Sequence, residues 1–290
     1  MSGSTRLETD LAGIELVHPV INGSGTFDAI AAREVFGDVV WDEFPFSAFV
    51  SKTITPEARP GNPPPRLWEE SDGLVNSIGL PNKGLEGFLH DDLPRLSDLP
   101  VPLIVSVMAT SAEDFEDLVE AVGSRDEVAA LELNVSCPNV KSGLVVGESP
   151  EECEALISHL RPVCDKPLIV KLTPSVDPAP IAAAAAAAGA DAVALVNTLK
   201  VSPLAPDGPG PWLGATSGGL SGPIIEPLAV AHVASVVESV EIPVIGMGGI
   251  SSGRDAERFI RAGATAVAVG TENFRDPAAG SRIAEELASL

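Results

Sequence analysis

The chain has 290 residues, with 18 Lys and Arg against 41 Asp and Glu, which gives a formal net charge of −23. A polypeptide this acidic is repelled by nucleic acid and by anionic membrane surfaces, so neither is expected as a partner. Its length and 45% hydrophobic content are those of a globular protein with a substantial core, in one large α/β domain or two ordinary ones.

Short runs of Val, Ile, Leu and Ala predict strands at 20–22, 48–51, 103–107, 130–135, 168–172, 192–196, 244–246 and 266–269. Amphipathic or Ala-rich segments between them predict helices at 112–122, 150–160, 178–188, 225–237, 254–262 and 277–290. Start signals are Ser111 before Glu113 and Asp114, Ser149 before Pro150, and Asp276 before Pro277. Gly189-Ala190 and Gly263-Ala264 supply the glycine that closes a helix before the next strand. Eight strands alternating with helices predict an α/β fold, a (β/α)8 TIM barrel, in preference to a doubly wound open sheet. Two Pro-rich intervals, 53–102 and 199–223, are long insertions after strands 2 and 6. No linker composition interrupts the chain, so 1–290 is read as a single barrel domain.

Three cysteines, Cys137, Cys153 and Cys164, are too few for a disulfide framework and lack metal-ligand spacing, which fits a reducing cytoplasm. The polar N-terminus has no apolar signal core. The longest apolar stretch, 181–196, is broken by Gly189 and Asp191 and is shorter than the ~20 residues of a membrane span. The expectation is a soluble, cytoplasmic protein.

In a barrel, the residues just beyond the strands converge on one face. Here they are Ser24, Lys52, Ser106, Asn134 to Cys137, Lys171, Asn197-Thr198, Gly248-Gly249 and Gly270-Thr271. The two glycine turns expose backbone amides, which suits a phosphate assisted by a helix N-terminus; the alternative is tight turns alone. Lys171 and Lys52 end buried strands, where a cation is costly unless it meets an anion or a polar cofactor. Cys137 follows strand 4 among Asn134, Ser136 and Asn139, a polar setting in which a thiol can serve as base or nucleophile. Cys153 and Cys164 read as core. In the first insertion, Asn76 and Asn82 frame NSIGLPN (76–82), and their amides suit a small polar heterocycle.

NSIGLPNKG (76–84), NVSCPNVK (134–141), VKLTP (170–174), VNT (196–198), SGGLSGP (217–223), IGMGGI (245–250) and AVAVGT (266–271) together resemble the dihydroorotate dehydrogenases. The resemblance runs from about Ser24 to Pro277. It implies an FMN-binding (β/α)8 barrel that oxidises dihydroorotate to orotate in pyrimidine biosynthesis, with hydride leaving C6 for the flavin. Cys137 would be the base that takes the C5 proton, a cysteine being the mark of class 1, with Lys52 beside it. Lys52, Asn76, Ser77, Ile78, Gly79, Leu80, Asn134, Asn197 and Thr198 would hold the substrate. Ser24, Lys52, Thr53, Asn134, Lys171, Val196, Gly222, Gly248, Gly249, Gly270 and Thr271 would contact FMN, with Lys171 stabilising charge on the reduced ring.

NVSCPNVK with Gly143, and SGGLSGP, are most similar to the class 1B subgroup. That implies a homodimer, or a heterotetramer with a partner subunit carrying FAD and a [2Fe–2S] cluster for transfer to NAD⁺. This chain has no cysteine set for such a cluster. Ser106 departs from the subgroup, which usually has an asparagine there, and 200–212 is unusually Pro-rich. The physiological acceptor stays open among NAD⁺, fumarate and a quinone. The alternatives are another dihydropyrimidine or uracil-type flavin oxidoreductase, or a phosphate-ligand barrel without flavin. The first is set apart by Lys52, which a substrate carboxylate wants and uracil does not.

Overall fold

A computed structural model describes residues 7–136, 145–205, 208 and 210–290. Eight parallel strands form one sheet: β1 (Val20–Asn22), β2 (Phe49–Val50), β3 (Leu103–Val107), β4 (Val128–Asn134), β5 (Leu168–Lys171), β6 (Ala192–Leu195), β7 (Val244–Met247) and β8 (Ala266–Val269). Their order around the sheet is β1-β8-β7-β6-β5-β4-β3-β2. The sheet is therefore rolled into a barrel whose first two strands meet at a seam without a backbone ladder.

Helices cover the outside: α1 (Ala29–Phe36), α2 (Ala112–Gly123), α3 (Pro150–Leu160), α4 (Ala179–Ala187), α5 (Glu226–Val237), α6 (Gly253–Arg261) and α7 (Ala279–Ala288). In α2 the buried residues Phe115, Leu118, Val119 and Val122 follow the i, i+3, i+4, i+7 stripe of a helix lying on a sheet. The Ser111 side chain accepts from the Asp114 amide and that of Ser149 from the Glu152 amide, as the start signals require. Gly189 and Gly263 both lie at φ +102°, the left-handed conformation that ends α4 and α6. The last helix starts later than the sequence implies, at Ala279, because Asp276 is spent outside it, accepting from the Ala278 amide and from Arg282.

Two apolar clusters follow from strand alternation. Leu131, Leu133, Val170 and Val193 face the helices, whereas Ile104, Ala130, Ile169, Ala194 and Ile245 fill the barrel. A hairpin unforeseen in the sequence, Thr9–Leu11 with Ile14–Leu16, adds Leu11, Ile14 and Leu16 to the inner cluster and plugs the barrel's base. Among the described residues no helix is long and apolar enough to cross a membrane.

The two insertions join at the opposite end. Leu199–Val201, Gly218–Ser221, Gly73–Asn76 and Leu67–Glu70 form one antiparallel sheet in that order. Segments read separately in the sequence are thus one structure beside the barrel mouth.

Candidate active site

The mouth of the barrel opens into a cavity of about 760 Å³, lined by strand ends on one side and by the insertion sheet on the other. Of the residues singled out in the sequence, the cavity gathers Ser24, Lys52, Thr53, Asn76, Ile78, Gly79, Leu80, Asn134, Lys171, Val196, Asn197, Thr198, Gly222, Gly248, Gly249, Gly270 and Thr271. Ser77 does not line it. Alternation along the Gly73–Asn76 strand turns Ser77 the other way, and its hydroxyl accepts from the Asn62 amide at 3.0 Å, bracing the loop. Cys137 lies outside the described residues; Ser136, which precedes it, lines the cavity.

Asn82, in the same motif as Asn76, is also absent from the lining. Its carbonyl oxygen accepts from the Thr55 and Gly84 amides, and its nitrogen donates to Leu80 O and Thr55 Oγ1. It shapes the turn that presents Gly79 and Leu80. Asn76 instead reaches the lining and donates to Gly219 O at 3.2 Å, tying one insertion to the other. Across the cavity, Asn197 Nδ2 donates to Ser136 Oγ at 3.0 Å and stands 3.5 Å from Asn134 Oδ1, while Asn197 Oδ1 accepts the Thr198 amide. A side chain at Gly219 would run into Thr198, so glycine is required where the two insertion strands cross this corner.

The hydroxyls have a defined direction. Ser24 Oγ donates to Ser51 O at 2.8 Å, so it must accept from Thr53 Oγ1 at 3.2 Å. Thr53 in turn accepts from Ser106 Oγ at 2.9 Å. Thr53 has thus spent its proton and offers the cavity an acceptor. Ser106, fully buried, does not line the cavity; its hydroxyl meets Thr53 and its amide donates to Ser51 Oγ at 3.1 Å.

Lys52 curls over Gly25, whose φ of +73° and missing Cβ leave room for the ammonium. Burial, and then the nearby positive charge of Lys171, hold the Lys52 pKa below its ordinary value. No carboxylate pairs with it among the described residues. Lys171 is 6% exposed and meets Glu132 at 3.5 Å, a carboxylate that is 3% exposed inside the barrel. Glu132 escaped the sequence analysis because it sits in mid-strand rather than at a strand end.

The glycine turns behave differently from the helix end beside them. Gly248 and Gly249 lie at φ +123° and +87°, and Cβ atoms there would stand 2.9 Å from Ala229 and 2.6 Å from Glu226, both on α5. Close packing of α5 therefore demands glycines, and their amides line the cavity. The expected help from a helix N-terminus is not free: at α6, Glu286 accepts the Gly253 amide at 2.7 Å, and Asp255 accepts from the Ser251 amide and the Ser252 hydroxyl. Glu286 thus takes the first amide of α6, and the Ser252 hydroxyl takes that of Asp255. Thr271 lines the cavity beside the glycine turns, and its hydroxyl donates to Ser221 Oγ at 2.8 Å.

Cys153 and Cys164 are free and buried. Burial pushes the Cys153 thiol up to about 12 and raises that of Cys164 as well.

A family profile described as "Dihydroorotate dehydrogenase" matches residues 6–290. The chain is 43% identical over 279 residues to the "Dihydroorotate dehydrogenase B (NAD(+)), catalytic subunit" of Desulforudis audaxviator, covering 96% of this chain and 90% of that protein. Proteins of the same name from Geobacter metallireducens (42% over 283 residues, 97% and 92% covered) and Pelobacter propionicus (43% over 281 residues, 96% and 91% covered) are equally similar.

Proposed function

This chain belongs to the dihydroorotate dehydrogenase family, and from that premise we propose that it binds FMN in the barrel mouth and works as the catalytic subunit of a class 1B enzyme. The reaction is oxidation of dihydroorotate to orotate in pyrimidine biosynthesis. The observation that carries the reading is the convergence of two lysines, three asparagine amides and two glycine turns on one cavity.

The donor set suits FMN. Gly222, Gly248, Gly249, Gly270 and Thr271 offer unhindered backbone amides for the phosphate. Ser24, Lys52, Thr53, Asn134, Lys171 and Val196 surround the space left for the ring system. Bound there, FMN supplies the two-electron acceptor for the hydride from C6 of the substrate.

The remaining work is done by side chains of this chain. Lys52 pairs with the substrate carboxylate. Asn76, Asn134, Asn197 and Thr198 match the donors and acceptors of the pyrimidine amides, with Ile78, Gly79 and Leu80 closing around them. Lys171 places positive charge where the reduced ring becomes anionic. Cys137 takes the C5 proton, an assignment resting on its place in NVSCPN, next to the cavity-lining Ser136.

Relatives named as catalytic subunits support a second, electron-transferring subunit. We assign that partner FAD and a [2Fe–2S] cluster, with NAD⁺ as acceptor, in a heterotetramer built on a homodimer of this chain in the cytoplasm. The test is anaerobic addition of dihydroorotate to the FMN-loaded chain, following loss of the visible flavin band. Rapid bleaching supports the reading, and a folded, flavin-loaded protein that does not bleach overturns it.

A further inference from the structure

The reaction as proposed leaves Glu132 without a part. Its position is unusual: alternation along β4 turns Ala130 and Glu132 into the barrel, and in the ladder Glu132 lies beside Ser106 on β3 and Ile169 on β5. A carboxylate in such surroundings is unfavourable unless a cation meets it. Lys171 does, at 3.5 Å, and among the described residues it is the only charged group paired with Glu132.

The groups facing Lys171 can be named. Neighbouring strands present Asn134 and Ala194 at its own level, both uncharged. The loop after β2 brings Lys52, a like charge whose own ionisation Lys171 already disfavours. Among the described residues Glu132 is the one carboxylate paired with Lys171; Glu69 and Glu272 line the cavity but pair with Arg275 and Arg282.

We propose that Glu132 is a positioning residue: its carboxylate supplies the counter-charge that keeps Lys171 an ammonium ion aimed into the cavity. The arrangement divides labour between the cations. Lys171 is neutralised from below, while Lys52 keeps an unmatched charge for an anionic ligand. The inference rests on the proposed flavin chemistry only in its second readout.

The first readout needs no flavin. The chain has six lysines, so its lysine ¹³Cε resonances can be followed by NMR and that of Lys171 assigned by its loss in Lys171→Met. The expected result is an ammonium shift for Lys171 at neutral pH, which in Glu132→Gln gives way to the amine shift at a lower pH than in the parent protein. A Lys171 titration unchanged in Glu132→Gln, or a signal already that of an amine in the parent protein, overturns the proposal. In the FMN-loaded protein, Glu132→Gln should lower the flavin reduction equilibrium at least tenfold, about 30 mV for a two-electron couple. Combining it with Lys171→Met should add nothing beyond Lys171→Met alone, and an additive effect is contrary evidence. A chain that takes up no flavin in any form speaks against the FMN reading, while the lysine resonances still decide the role of Glu132. Should Glu132→Gln not fold, Glu132→Met with Lys171→Met decides: a folded double variant supports the pairing, and an unfolded one refutes it.

Discussion

The side-chain amide of Asn22 makes both bonds of a ladder rung with Val50, donating to its carbonyl and accepting its N–H, each at 2.8 Å. This closes the seam between β1 and β2, assisted by Ser47, whose amide and hydroxyl both donate to Val20 O at 3.0 Å. Phe27, Phe44, Phe46 and Phe49 pack edge to face around one another next to the seam. Asn22 is fully buried. The clamp also sets the stretch that leads directly to Ser24 and to Lys52.

Replacing Asn22 by Leu keeps the volume but strands the Val50 N–H and carbonyl inside the protein. At about 1–3 kcal/mol for each buried group left unpaired, the loss should be roughly 2–6 kcal/mol. Urea unfolding measures it as a lowered midpoint at constant slope. Retention of flavin should fall alongside, because Ser24 and Lys52 lose their anchor.

Cys137→Ala should leave flavin and orotate binding intact while substrate reduction of the flavin slows by about 10²–10⁴-fold, the usual worth of a positioned base. Cys137→Ser should keep weak activity, since a hydroxyl is the poorer base. Cys153→Ala, which removes a thiol raised to about 12 by burial, should leave the rate unchanged. Stopped-flow bleaching under anaerobic conditions separates the three.

The depressed Lys52 pKa carries two consequences of opposite sign. In the proposed reading orotate binding needs the ammonium, so affinity should fall as pH rises through the lowered value, before an ordinary lysine would titrate. Folding behaves the other way. The unfolded chain holds this proton to higher pH than the native one, so a penalty present below the native pKa disappears as pH climbs toward the ordinary value. Lys52→Met should remove both dependences, checked by orotate titrations of the flavin band and by unfolding at several pH values.

Two glycines distinguish packing from ligand recognition. Gly248→Ala forces a side chain into φ +123° and against Ala229 at 2.9 Å, so it should destabilise the flavin-free protein by about 1–3 kcal/mol. At Gly270 the nearest atom to an added Cβ is 3.9 Å away. Gly270→Ala should therefore leave flavin-free stability within about 0.5 kcal/mol while weakening FMN retention, because in the proposed complex the new methyl group occupies space beside the phosphate. Thermal unfolding with and without FMN reads both effects.

The eight strands, α3 from Pro150 to Leu160 and the caps at Ser111 and Ser149 were legible in the sequence by itself. Each is written in local terms: alternation, helical spacing, or a hydroxyl one position ahead of a helix. The cavity residues at strand ends were legible for a related reason, since polar or glycine residues following apolar runs in a barrel must meet at one face. Other features depend on partners far along the chain. Asn76 and Asn82 are the same residue type in one motif, yet one lines the cavity and the other braces a turn. Glu132 is a single acidic letter in an apolar strand until Lys171, 39 residues on, arrives beside it. The pairing of the two insertions rests on contacts such as Asn76 with Gly219, 143 residues apart. The α6 N-terminus passes from anion site to occupied cap because Glu286 returns from the last helix. Backbone sterics and burial period act over a few residues and can be read along the chain. Side-chain pairing across a closed barrel depends on register and closure, which only the folded chain decides.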